Sequence, residues 1–197
     1  MTTLQTIRNR RSFYHIKSES PIPDKEICRL VEEALIHTPS AFNMQSARIV
    51  VLLKENHDLF WEIVKNTLRQ IVPSDKFEAT ETRINSFANG YGTILFYDDT
   101  KIVQTFSEKF QLYKENFPVW TEQANGMLQS NIWMLLEEAG LGASLQHYNP
   151  IIDDKVRETW HIPSSWRLIA QMPFGMPTQK PDKKNIIPVE NRIKIFK

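Results

Sequence analysis

Apolar positions along the chain repeat at helical spacing in some stretches and run continuously in others. After Asp24, which stands where a helix cap is expected, Ile27, Leu30, Val31, Ala34 and Leu35 fall on one helical face, and Pro39 ends the segment. The run RIVVLL at residues 48–53 is β-branched, apolar throughout and of strand length, which predicts a strand buried on both faces. Asn56 is placed to cap a second helix with Leu59, Phe60, Ile63, Val64, Leu68 and Ile71 toward the core, closed by Pro73. Residues 75–87 predict a polar surface helix. Asn89-Gly90 and Tyr91-Gly92 then punctuate the chain before a strand at 93–97.

Helical spacing returns at Val103, Phe106 and Phe110, followed by an aromatic loop with Phe117, Pro118 and Trp120. Residues 121–139 form the strongest helix, apolar on nearly all sides from Met127 to Leu136 and therefore central, with Gly140 in the left-handed cap position. A short strand at 142–146, a short helix at 153–160 and a strand at 167–172 follow. From Pro173 the chain turns irregular, and it ends in the alternating piece RIKIF at 192–196, a strand at the end of a long arm. Helices and strands mix without regular βαβ spacing. This predicts one α+β domain over 1–197, with helices around a central sheet and an arm from about 173 to 197. A lone terminal strand needs a sheet edge, and an arm this extended points to a partner subunit.

Composition narrows the function classes. With 197 residues, 41% of them apolar, the chain can bury a real core, and its 11% aromatic content argues against disorder. The 24 Lys+Arg nearly cancel 23 Asp+Glu, which gives no support to nucleic-acid or anionic-membrane binding. Cys28 is the sole cysteine, so an intrachain disulfide and a cysteine-based zinc site are excluded. None of the six glycines completes a phosphate-binding loop. The opening residues carry no apolar leader and no segment is apolar enough to span a bilayer, so the expectation is a cytoplasmic protein with no membrane partner.

Four polar clusters could carry chemistry. Arg8-Asn9-Arg10-Arg11-Ser12 gathers three guanidinium forks and a hydroxyl, suited to phosphate; a solvated basic turn is the alternative. The stretch TPSAFNMQS at 38–46 offers amide donors and acceptors for a heteroaromatic edge or a polyol chain, or is a plain connecting loop. GASLQHYNP at 142–150 places His147, Tyr148 and Asn149 where a strand ends. His147 there fits packing or hydrogen bonding better than proton transfer, since no carboxylate partner accompanies it. Lys183-Lys184 lies in the proline-rich arm. The other histidines, at 15, 37, 57 and 161, show no metal-ligand spacing, and there is no serine-nucleophile elbow.

In order and spacing these clusters resemble the nitroreductase-like flavoprotein family. Arg10-Arg11-Ser12 is similar to its N-terminal Arg-x-Ser clamp, and Pro39-Ser40-Ala41-Phe42-Asn43-Met44-Gln45 to its Pro-Ser-x-x-Asn-x-Gln segment. The apolar helix into Gly140-Leu141-Gly142, the element Gly175-Met176-Pro177, and Pro188-Val189-Glu190 match as well. The string GASLQHYNP resembles most the branch of the yeast fatty-acid-repression-mutant proteins. The resemblance implies a homodimer with two shared FMN sites and an arm that adds a strand to the partner's sheet. It implies that Arg10 and Ser12 hold the FMN phosphate, with Arg11 and Lys184 assisting. Ser40, Asn43 and Gln45 approach the flavin and its ribityl chain from the other subunit, while Gln146, His147 and Tyr148 face the isoalloxazine and one backbone N–H donates to N5. Arg83 falls near a flavin-contact position. The implied activity is ping-pong hydride transfer from NADH or NADPH through N5 to a small-molecule acceptor, a quinone or nitro compound, in oxidative-stress defence. It calls for no catalytic side chain and no metal. The alternative is a flavin-binding stress or regulatory protein with incidental reductase activity. Three departures stand out: Tyr14 where many members carry a second Arg or Lys, which thins the clamp; Ser46-Ala47 in place of Pro-Trp; and Ile186 where an Arg often follows the arm lysine.

Overall fold

The computed structural model describes residues 2–197. The elements run α1 (Thr3–Asn9), β1 (Ile16–Lys17), α2 (Asp24–His37), β2 (Ala47–Leu53), α3 (Glu55–Arg69), α4 (Phe77–Ala88), β3 (Gly92–Asp99), α5 (Thr100–Lys109), α6 (Phe117–Glu138), β4 (Gly142–Ala143), α7 (Asp153–Thr159) and β5 (Trp166–Pro177). The sheet has the order β1-β5-β3-β2, with β4 also pairing β5, and each of these ladders is antiparallel. The expected α+β class is therefore what the chain forms.

Strand β3 is the axis of the molecule. Its alternate side chains enter two cores: Ile94 and Phe96 meet Ile27 and Val31 of α2 and Leu128, Ile132 and Leu136 of α6. On the other face, Leu95 and Tyr97 meet Phe60, Trp61 and Val64 of α3, Ile84 and Phe87 of α4, and Val156 of α7. The predicted central helix is α6, and it ends as expected at Gly140, whose φ is +84°.

Several local expectations are corrected. Helix α1, unforeseen because its only buried side chain is Thr6, starts with a reciprocal cap between Thr2 and Gln5. Asp24 does not cap α2, because Pro23 takes that position; its carboxylate instead accepts from the Tyr91 hydroxyl and pairs with Lys54 at 2.9 Å. Strand β2 lies at the sheet edge, so only Leu52 is fully buried in the single chain, against the expectation of burial on both faces. Helix α3 begins at Glu55 after Lys54 (φ +55°) rather than at an Asn56 cap. Its core face is His57, Phe60, Trp61, Val64 and Thr67, which leaves Leu59 and Ile71 exposed.

Strand β5 continues through Pro177, past the expected end at 172, while β4 stops at Ala143. One residue accounts for the short β4. Gln146 and Gln171 exchange both backbone hydrogen bonds, and the next such pair in register is Ser144 with Pro173. Ser144 donates to the Pro173 carbonyl at 3.2 Å, but proline has no N–H to return. The ladder is interrupted there and resumes at Gln146, which is why β4 stops at Ala143. Gly175 allows β1 to close on β5, since a Cβ there would lie 2.5 Å from the Lys17 carbonyl oxygen. The expected strand at 192–196 does not form within the chain; beyond β5 the arm carries one short turn, Val189–Asn191, and is exposed.

Candidate functional site

The pairing of β1 with the end of β5 builds the first half of the site. Thr178 donates its N–H to the His15 carbonyl at 3.0 Å, so residues 10–15 and 179–184 run side by side around a cleft of about 480 Å³. Arg10, Arg11, Ser12 and Lys184, the expected phosphate-holding group, all line it. Arg11 is tied to the arm through the Asp182 carbonyl, and the Arg10 guanidinium lies 4.4 Å from the Trp133 ring centre. Lys180 and Lys183 join them, leaving Asp182 as the only carboxylate on the walls. Positive charge that Tyr14 does not supply thus comes to this cleft from the arm, which the spacing of the N-terminal run does not reveal.

The chain around residue 146 adjoins this cleft. Ser12 bridges to Ala143, and Phe13 donates to the Ala143 carbonyl at 2.9 Å. Beyond that interruption the Gln146 N–H is taken by the Gln171 carbonyl and the Tyr148 N–H by the Gln171 side chain, each at 2.7 Å. Among the described residues the His147 N–H has no partner, and its exposed side chain has no carboxylate beside it. The Tyr148 ring stands edge-on to Trp61, and burial holds its phenol above the ordinary tyrosine range, partly offset by Arg83. Arg83 itself lies 5.0 Å from the Tyr14 ring centre, so this position too faces the same corner.

Ser40, Asn43 and Gln45 lie elsewhere, in the loop that enters β2 at the opposite side of the sheet. Ser40 and Gln45 line a separate cleft of about 230 Å³ with Thr38, Arg48 and Leu128, while Asn43 projects outside it. Phe42, Asn43 and Gln45 all take the left-handed conformation, at φ +55°, +52° and +52°. Each non-glycine residue so held costs about 1–2 kcal/mol, so the surroundings must fix it. The Ser40 hydroxyl accepts from the Gln45 N–H at 2.9 Å, Met44 is buried, and the Phe42 ring packs against Phe110, Tyr113, Phe117 and Trp120. Arg48, Asp99 and Thr121, which also brace this loop, carried no sequence signal of a site. No group of His, Cys, Asp and Glu among the described residues is placed to hold a metal ion.

A model of the nitroreductase family matches residues 7–176. The chain belongs to the nitroreductase family. Among relatives of this family, two Saccharomyces cerevisiae proteins match over nearly the whole chain. The putative nitroreductase HBN1 is 34% identical over 197 residues, covering 99% of this chain and 97% of its own. The nitroreductase FRM2 is 30% identical over 186 residues, covering 93% and 92%, in keeping with the branch that GASLQHYNP resembles. Nitroreductase CinD from Lactococcus lactis, solved with nicotinic acid, is 36% identical with a TM-score of 0.93 over 100% of both chains. It has also been solved with chloramphenicol and with 4-nitrophenol. Like its nitroreductase relatives, the protein is an oxidoreductase.

Proposed function

We propose that the protein is an FMN-dependent NAD(P)H oxidoreductase acting as a homodimer with two shared sites. The separation of the two polar half-sites carries this reading. The basic cleft and residues 146–148 lie toward the β1 and β4 side of β5, while the Ser40–Gln45 loop enters β2 at the far edge. Three strand spacings, roughly 14 Å, lie between those edges within one chain. A second copy that turns its loop toward the cleft unites the halves. The surfaces that such a dimer covers are apolar: Leu35, Ile36 and Met127 near the loop, and Ile186, Ile187, Ile193, Ile195 and Phe196 on the arm, are all exposed in the single chain. The domain then spans 1–197, the arm embraces the partner, and residues 192–196 pair with its open β2 edge.

The donor set fits FMN. A phosphate monoester needs cations and hydroxyl or N–H donors, which Arg10, Arg11, Ser12 and the arm lysines supply. The unpartnered His147 N–H is free to donate to N5, and Asn43 and Gln45 offer amides to the flavin edge and ribityl chain. Bound FMN supplies a centre that accepts a hydride from NADH or NADPH and passes it to a second molecule in a ping-pong cycle. The residues of this chain bind and orient; none is required as a proton donor or nucleophile. The nicotinic acid bound to CinD supports a nicotinamide donor, and its chloramphenicol and 4-nitrophenol complexes support nitro acceptors. Quinones form a second acceptor class. We place this activity in the cytoplasm, in defence against oxidative stress.

The test is to purify the protein, record flavin absorbance, and follow NADH and NADPH oxidation with 4-nitrophenol and menadione. Yellow protein with acceptor-dependent bleaching is expected, and a colourless protein that takes up no added FMN would overturn the assignment. Lys184→Ala should weaken FMN about tenfold while leaving riboflavin unchanged, because only the phosphate loses a charge-assisted hydrogen bond.

A further inference from the structure

Consecutive aspartates end β3, and strand alternation sends their side chains to opposite faces. Asp99 grips the segment that follows the Ser40–Gln45 loop. Asp99 pairs with Arg48 at 3.3 Å, and Arg48 donates to the Gln45 carbonyl at 2.8 Å and the Ala47 carbonyl at 2.9 Å. The Asp99 N–H is held by the Ser46 carbonyl at 2.9 Å. On the inner face, the Ser46 hydroxyl meets the Thr121 hydroxyl of α6 at 2.5 Å, and Asn125, one turn further along the same helix, donates to the Asp98 carboxylate at 3.2 Å. Ser46 and Asp98 are almost wholly buried, so the inner grip is dry, whereas Arg48 stays half-buried at the surface.

We infer that Arg48 and Ser46, held by Asp99 on one face and by Thr121 on the other, are positioning residues that hold Gln45 and Asn43 in the left-handed loop conformation competent to bind flavin. The inference rests on the reading of this loop as a flavin contact. Gln45 has its N–H on Ser40 and its carbonyl on Arg48, so its backbone is fixed from both ends and its side chain is left exposed toward a ligand. Removing Arg48 leaves the Gln45 carbonyl without that donor and lets the peptide rotate.

The experiment compares Arg48→Ala, Arg48→Lys, Gln45→Ala and the double variant, reading FMN affinity by fluorescence quenching and apoprotein thermal midpoint. Hydrogen exchange of the Gln45 amide in the apoprotein is the third readout. Arg48→Ala should weaken FMN about tenfold, the loss of one charge-assisted hydrogen bond. It should also speed Gln45 amide exchange in the apoprotein and shift the thermal midpoint little. Arg48→Lys, which keeps the charge but not the fork, should fall between. The double variant should lose less than the sum of the two single losses. FMN affinity within twofold of the parent for Arg48→Ala, or additive losses, overturns the positioning role. If Gln45→Ala itself binds FMN normally while Arg48→Ala still speeds Gln45 exchange, the loop is braced as described but is not a flavin contact, and it is the underlying reading that falls.

Discussion

His57, which carries no sign of a role in the sequence, is a structural residue in the fold. Its Nδ1 lies 2.9 Å from the Thr93 hydroxyl and its Nε2 lies 3.1 Å from the Ala88 carbonyl. Trp61 donates to the same Thr93 oxygen at 2.9 Å, which leaves the hydroxyl proton for His57. A neutral ring protonated at Nε2 satisfies every partner; a second proton would displace the Thr93 donor. Burial accordingly holds the ring below its ordinary 6.5. The unfolded chain therefore binds the proton first as pH falls, so the stabilisation is complete above 6.5 and is lost progressively below it. The expected outcome is a thermal midpoint that drops between pH 7.5 and about 5, with a shallower drop in His57→Phe. At pH 7.5 that variant should itself be less stable by about 1–3 kcal/mol, since Thr93 and Ala88 lose a buried partner. An equal pH slope in both proteins would assign the acid sensitivity to other groups. Asp98 acts in the opposite direction, because burial raises its carboxyl and so favours the folded state as pH falls.

At the scale of elements, the break between β4 and β5 sets the shape of the candidate flavin edge. Pro173 occupies a position opposite Ser144 that calls for an N–H, and the ladder is interrupted there because it has none. Pro173→Ala restores that donor opposite Ser144. Hydrogen exchange should then show a protected amide at position 173 and slower exchange at Ser144, with global stability nearly unchanged. One hydrogen bond of about 1 kcal/mol is offset by the greater freedom of the unfolded chain. Unchanged exchange at Ser144 would mean that the break has another cause. The same scale explains the misjudged face of α3. A helix one residue out of register presents a face rotated by about 100°, and the sequence pattern fixed Phe60 and Val64 but not which neighbours flank them.

At the scale of the molecule, the arm links fold and site. Residues 178–197 make few contacts within the chain, yet they carry Lys180, Lys183 and Lys184 and a row of exposed isoleucines. Deleting them should remove the lysine wall of the cleft and the surface that a second copy would cover. The truncated protein is expected to run as a monomer in light scattering and to retain no flavin absorbance, while its circular dichroism spectrum stays close to that of the full chain. A truncated protein that remained a yellow dimer would place both the interface and the phosphate clamp elsewhere.

By itself the sequence determined the α+β class, the central helix with its glycine stop, and the clusters at Arg10–Ser12, Ser40–Gln45, 146–148 and Lys184. Periodicity, caps and short motifs are local signals, and these features are local. Tertiary structure alone decided that β2 is an edge and that Pro173 interrupts the pairing of β4 with β5 at Ser144. It also decided that Lys180 and Lys183 line one cleft with arginines some 170 residues earlier, and that Asp99 grips the segment entering β2. Those facts depend on strand order and on which backbone donors meet across the sheet, and neither leaves a trace in spacing along the chain. The division of the proposed site follows from the same cause: the motifs pick out the two polar clusters, but only the sheet shows that they stand at opposite edges.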